Sequence, residues 1–137
     1  MLDSESITPG DLAYLVVDDS QSMRRIIVRT VRGMGAQTVH EAADVAEAWC
    51  ILGSKPVDFI ICDWNMPGQK GIDLLKDIRG QEKYRNIPFL MVSAEARTEN
   101  IFEAIRSGVS NYLPKPFTPE ILVKKIEAIL ESRHSHP

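Results

Sequence analysis

A chain of 137 residues, 44% apolar and 26% charged, is long enough for one well-filled core and too short for two. Its net charge of −3, with both signs mixed and no basic block, disfavours direct nucleic-acid binding. No apolar stretch nears the length that spans a bilayer, the polar, acidic opening Met1–Gly10 is not a secretory signal, and the cysteines Cys50 and Cys62, without metal-type spacing, read as buried free thiols in a reducing cytoplasm.

Residues 1–10 have the composition of a flexible N-terminal tail, and residues 132–137 that of a flexible C-terminal one. Between them, residues 11–131 form one domain in which strand and helix patterns alternate. Leu12–Val17 is a continuous apolar run and reads as a buried strand. Met23, Ile26, Ile27, Val31 and Met34 then recur at helical spacing, with Ser20 or Ser22 as cap and Gly33 and Gly35 as the stop. Thr38–His40 is a short second strand. Asp44 caps a helix whose inner face is Val45, Ala48, Trp49 and Leu52, ended by Gly53-Ser54-Lys55-Pro56.

Val57–Asp63 is the third strand, followed by the turn chemistry of Asn65-Met66-Pro67-Gly68, and Gly71 restarts the chain. Ile72, Leu75 and Ile78 mark a third helix. Pro88–Ser93 is a fourth strand, and Ile101, Ala104 and Ile105 mark by their spacing a fourth helix ending at Gly108. Val109–Leu113 is a short fifth strand. Thr118 followed by Pro119 opens the last helix, which buries Leu122, Ile126, Ile129 and Leu130. Five strands alternating with five helices predict an α/β fold: a doubly wound, flavodoxin-like, five-stranded parallel sheet with helices on both faces.

Polar residues cluster at the strand ends. Asp18 and Asp19 follow the first strand, Asp63 closes the third, Ser93 the fourth, and Lys115 lies just after the fifth. In an open parallel sheet, ligands bind outside the carboxyl ends of the strands. Three carboxylates gathered there repel one another unless a cation sits among them, and a hard divalent ion with oxygen ligands, Mg2+, fits. A carboxylate can attack phosphorus, so Asp63 is the candidate nucleophile, with the loop Trp64–Gly71 expected to expose it. Lys115 would place a positive charge on the transferring oxygens, and Ser93 could donate a hydrogen bond to one of them. Taken singly, an Asp pair is also a turn or cap, Lys115 a surface lysine and Ser93 a satisfied hydroxyl; their joint placement on one edge singles them out. Trp64 is expected to be partly exposed, and Trp49 to lie in the core. His40, His134 and His136 form no ligand cluster.

The segments Val17-Asp18-Asp19, Cys62-Asp63-Trp64-Asn65-Met66-Pro67-Gly68, Val92-Ser93-Ala94-Glu95 and Lys115-Pro116-Phe117 resemble the receiver domain of two-component response regulators. Ser22-Met23-Arg24-Arg25-Ile26 and Ala94-Glu95-Ala96 with Glu99-Asn100-Ile101 are similar to its single-domain chemotaxis type in particular. The resemblance runs from about Leu12 to Leu130. It implies a cytoplasmic module rather than an enzyme, catalysing only its own phosphorylation and dephosphorylation. Asp63 would accept phosphate from a histidine kinase. Asp19, Asp63 and the Asn65 carbonyl would hold Mg2+ with Asp18 assisting, and Ser93 and Lys115 would contact the phosphoryl group. Tyr112 would be the aromatic switch. Asn65 and Glu95 would flank the site and shorten the life of the acyl phosphate. Ala96, Ile101, Tyr112 and Lys125 would belong to an output face bound by a flagellar motor switch protein or another target, and a phosphatase is a further implied partner. Thr98 and Pro114 depart from the chemotaxis pattern on that face. The resemblance also implies a cis Lys115–Pro116 bond, although only about one X–Pro bond in twenty is cis in folded proteins and the sequence alone favours trans.

Other readings compete. A phosphorelay shuttle or a phosphate-independent adaptor would share this architecture. A Mg2+-dependent phosphohydrolase with an aspartyl nucleophile, similar to the haloacid dehalogenase family, would need a second Asp where this chain has Asn65. No glycine-rich phosphate loop follows any strand, which disfavours nucleotide binding, and acids at the strand ends would repel a flavin phosphate.

Overall fold

The computed structural model describes residues 8–94 and 97–134. A short 3-10 helix, Pro9–Asp11, leads into β1 (Ala13–Val17), α1 (Gln21–Gly33), β2 (Thr38–Ala42), α2 (Val45–Ser54), β3 (Phe59–Asp63), α3 (Gly71–Arg79), β4 (Phe89–Ser93), α4 (Thr98–Arg106), β5 (Asn111–Pro114) and α5 (Pro119–His134). The strands form one parallel sheet in the order β2-β1-β3-β4-β5. The alternating pattern therefore gives the doubly wound fold that it predicts.

Side-chain alternation along each strand divides the core in two. Leu15, Val17, Ile60, Cys62, Phe89 and Met91 face one layer of helices, where they meet Val45, Leu52, Leu74, Leu75, Ile78 and Ala104. Tyr14, Val16, Phe59, Ile61, Leu90 and Val92 face the other, against Ile27 and Val31 of α1 and Leu122, Ile126, Ile129 and Leu130 of α5. The three central strands are buried throughout because both faces are covered. β2 lies at an edge and is mostly partly exposed.

The helix starts follow the cap chemistry of the sequence. Ser20 Oγ accepts a hydrogen bond from the Met23 amide at 3.2 Å, Asp44 Oδ1 from Glu47 at 2.8 Å, and Thr118 Oγ1 from Ile121 at 3.2 Å. Gly35 takes a φ of +102° just beyond α1, a conformation in which a Cβ would be strained.

Several local expectations are corrected. β2 extends two residues past His40, because pairing with β1 continues to Val17↔Ala42. α5 runs through Ser132, Arg133 and His134, where a tail is expected from composition. Cys50 is exposed, since it falls on the outer side of α2, whereas Cys62 is buried in β3. Ile105 is 57% exposed and not inward: Ala104 alone occupies the buried seam of α4. Trp49 packs only partly buried, edge-on against Tyr84 with ring centroids 5.6 Å apart. Thr8, Pro9 and Gly10 of the expected N-terminal tail are described, Pro9 and Gly10 within the 3-10 helix; residues 1–7 and 135–137, His136 among them, together with Glu95 and Ala96, lie outside the described residues.

Candidate phosphorylation and metal site

The carboxyl ends of β1 and β3 carry the acidic residues. Strand pairing brings them together: Val17 is opposite Cys62, so Asp18 and Asp63 leave neighbouring strands side by side. Carboxylate oxygens of Asp18, Asp19 and Asp63 lie within 4.8 Å of one another. Asp18 and Asp63 are buried, at 1% and 6% exposure, while Asp19 is exposed to solvent. An all-oxygen donor set of this size, open on the Asp19 side, fits a hard divalent cation.

Asp18 is fixed in place by its neighbours. Its amide donates to Ala42 O at 3.0 Å, its Oδ1 accepts from the Ser20 amide at 2.8 Å, and its carbonyl accepts from Arg24 Nη1 at 2.6 Å. Arg24 is held in turn by Glu41 at 3.1 Å. Arg24 thus positions the acidic turn, a role that the sequence leaves unassigned. Its spacing of six from Asp18, one turn into a capped helix, and its place in the Ser22-Met23-Arg24-Arg25-Ile26 segment are the signals in the sequence.

Lys115 reaches the site from the loop after β5. Its Nζ lies 3.2 Å from Asp18 Oδ2 and 3.3 Å from Asp63 Oδ1, bridging both buried carboxylates. Its amide donates to Ser93 O at 2.8 Å, so the end of β4 and the Lys115 backbone are tied directly. Ser93 is fully buried at that strand end. The Lys115–Pro116 bond is cis, in line with the resemblance and against the expectation from sequence alone. Asn65 is exposed on the loop beside Asp63.

Burial chiefly raises the Asp63 pKa above the ordinary carboxylate range; Lys115 opposes this and Asp18 adds to it. Burial likewise pushes the Cys62 thiol well up, with Asp63 and Asp18 contributing, so it stays a neutral S–H, donating to Asp63 O at 3.2 Å.

The loop after Asp63 does not expose it as expected. Trp64 is only 4% exposed and Met66 8%, both packed into the core. They pin the loop down so that the Asp63 carboxylate sits at the floor of a recess. Gly71 permits this. A Cβ there would stand 2.1 Å from Asp63 O and 3.1 Å from Cys62 Sγ, and the Gly71 amide donates to Trp64 O at 2.9 Å. The sequence marks Gly71 only as the start of α3; the need for close backbone approach is a tertiary fact.

Of the residues assigned to an output face, Ile101, Tyr112 and Lys125 are described, on α4, β5 and α5. Ile101 and Tyr112 are partly buried on α4 and β5. Lys125 Nζ lies 3.4 Å from Asn111 Oδ1, and the same oxygen accepts from the Tyr112 amide at 2.8 Å. Phe102 and Ile105 add exposed apolar surface to α4, at 53% and 57%; periodicity places Ile105 inside and leaves Phe102 unassigned. Thr98 and Pro114 are exposed as well.

Known proteins resemble this chain in sequence and fold. A family model described as the response regulator receiver domain matches residues 14–127. The chain is 47% identical over 120 residues to the chemotaxis protein CheY of Pseudomonas aeruginosa, covering 88% of this chain and 97% of that one. It is 43% identical over 127 residues to chemotaxis protein CheY-3 of Vibrio cholerae, covering 93% and 98%. Among solved structures, chemotaxis response regulator CheY4 of Vibrio cholerae matches with a TM-score of 0.80 and 36% identity, over 86% of this chain and 98% of that one.

Proposed function

The chain belongs to the response regulator receiver family, and on that premise we propose that it takes a phosphoryl group onto Asp63 from a histidine kinase and answers by changing its α4–β5–α5 face. The observation that carries this reading is the recess itself: a buried Asp63 carboxylate with the Lys115 ammonium at 3.3 Å and two further carboxylates within 4.8 Å.

Asp63 Oδ attacks phosphorus, the new O–P bond forms, and the N–P bond of the donor phosphohistidine breaks with its electron pair returning to the imidazole. Phosphoryl transfer asks mainly for positioning and charge stabilisation. Lys115, already held between Asp18 and Asp63, presents its ammonium to the phosphoryl oxygens. Ser93 would donate its hydroxyl to one of them. Asp19, Asp63 and the Asn65 carbonyl, with Asp18 assisting, would hold Mg2+, whose charge offsets that of an anionic donor entering an acidic site. Asn65 and Glu95 would favour hydrolysis, giving a short-lived signal.

Similarity to chemotaxis proteins supports a reading of the target. A flagellar motor switch protein is the proposed partner of the face containing Ile101, Tyr112 and Lys125, with a phosphatase ending the signal in the cytoplasm. Thr98 and Pro114 sit on that same face and would tune the choice of target.

Intact-mass spectrometry after mixing the protein with Mg2+ and acetyl phosphate tests the site. One added phosphoryl group, lost in Asp63→Asn and without metal, is expected. No adduct in a folded protein, with hydrolysis during handling excluded, would replace this reading with that of an adaptor.

A further inference from the structure

Arg24 touches the chain on both sides of Asp19. Its amide donates to Ser20 O at 2.9 Å, and its Nη1 donates to Asp18 O at 2.6 Å. The Asp18 carbonyl and the Asp19 amide belong to one planar peptide unit, so a bond to that carbonyl fixes the plane from which Asp19 departs. The Ser20 amide closes the turn on Asp18 Oδ1 at 2.8 Å. Asp19 is thus bracketed through its backbone. Its carboxylate is exposed, whereas those of Asp18 and Asp63 are buried and both lie against the Lys115 ammonium.

Arg24 is itself fixed. Its side chain is only 15% exposed, and its Nε lies 3.1 Å from Glu41 Oε1. Glu41 belongs to the edge strand β2, one residue before Ala42, whose carbonyl accepts from the Asp18 amide at 3.0 Å. β2 therefore holds the acidic turn twice, once by its backbone and once through Arg24. A guanidinium can serve a carboxylate and a carbonyl at once through separate N–H groups, whereas a lysine ammonium is a point charge on a flexible stem.

Charge and geometry make opposite demands here. A cation bonded to the acidic turn opposes the binding of another, so Coulomb's law alone predicts that removing Arg24 tightens cation binding. Contacts that orient a metal's ligands act the other way, and their loss weakens binding. Mg2+ demands near-ideal octahedral geometry, while Ca2+ accepts flexible arrangements. A well-aimed Asp19 carboxylate therefore matters more to the smaller ion.

We propose that Arg24, braced by Glu41, is a positioning residue that aims Asp19 and so sets the preference of the acidic cluster for Mg2+ over Ca2+. This role rests on the reading of the cluster as a Mg2+ site.

Titration calorimetry of the full chain with magnesium chloride and, separately, calcium chloride tests it, with thermal melts in chelator to verify folding. Arg24→Ala should weaken Mg2+ binding about tenfold, the scale typical of losing a contact behind a metal ligand, and weaken Ca2+ binding much less. Arg24→Lys should fall between Arg24→Ala and the wild type, since one ammonium does not reproduce the fork. Glu41→Ala should weaken Mg2+ binding as well, and should add nothing in the Arg24→Ala background, because Glu41 acts through Arg24. Unchanged or tighter Mg2+ binding in Arg24→Ala overturns the proposal in favour of simple charge. An equal loss of both ions makes Arg24 a general structural residue and overturns it too. Should Arg24→Ala fail to fold, Arg24→Lys and Glu41→Ala decide by the same two comparisons. A further loss from Glu41→Ala in the Arg24→Ala background overturns the brace. A wild type that binds no Mg2+ overturns the reading of the cluster and the proposal with it, whereas Mg2+ binding that is the same in wild type and variants overturns the proposal alone.

Discussion

Asp63 is held in a state that folding disfavours. Its carboxyl is buried beside Asp18, and Lys115 offsets that only in part, so its pKa is raised in the folded protein above the unfolded value. The folded state thus binds the Asp63 proton more tightly, and stability falls as pH rises from the unfolded pKa through the folded one. In metal-free protein, Asp63→Asn should therefore melt a few degrees higher at neutral pH, with the gain vanishing as pH drops below the ordinary Asp range. Thermal melts across that range, in chelator, check it; a gain that grows on acidification would contradict the sign. The cysteines give a second test at this scale. Exposed Cys50 should alkylate readily, while Cys62, buried with its thiol pKa raised, should react only after denaturation. Mass spectrometry should read one adduct on the native protein and two on the unfolded one.

Elements transmit what the residues set. The approach of α3 to the end of β3 depends on Gly71, whose missing side chain lets the helix lie against the Asp63 carbonyl. Gly71→Ala forces backbone apart and should cost about 2 kcal/mol or more, seen as a lower denaturant midpoint. The same shift would misplace Asp63, so the rate of adduct formation with acetyl phosphate should fall as well. The start of α1 works alongside: Ser20 caps the helix while Asp18 and Arg24 tie its first turn to the acidic edge. Helix α4 presents exposed Phe102 and Ile105 outward and buries only Ala104, a thin seam.

For the whole molecule, cation binding at the acidic cluster would be linked to folding. The three carboxylates converge only when β1 and β3 are paired, so the unfolded chain offers no such site. A ligand that binds only the folded state stabilises it by mass action, about 2.7 kcal/mol at a hundredfold excess over Kd. Magnesium should raise the melting temperature of the wild type by several degrees and do so far less in Asp19→Asn; an equal rise in both would remove Asp19 from the ligand set. The two packed layers serve the same end, because a sheet buried on both faces fixes its strand ends rigidly enough to hold buried carboxylates side by side.

Much of this is legible in the sequence. Apolar runs of five or six residues, helical spacings and the caps Ser20, Asp44 and Thr118 are local signals, and each acts within a few residues of itself. Alternation of strand and helix then dictates a parallel sheet, and a parallel sheet puts Asp18, Asp19, Asp63, Ser93 and Lys115 on one edge whatever the details of packing. Exposure was less legible. Burial of Trp64, exposure of Cys50 and the outward turn of Ile105 depend on how a loop or helix is rotated against a neighbour distant in sequence. The contacts that position the site are of the same kind: Gly71 against Asp63 and Arg24 against the Asp18 carbonyl. Each joins a residue of ordinary local meaning to a backbone group that only the folded sheet brings near, and so these were decided by the tertiary structure alone.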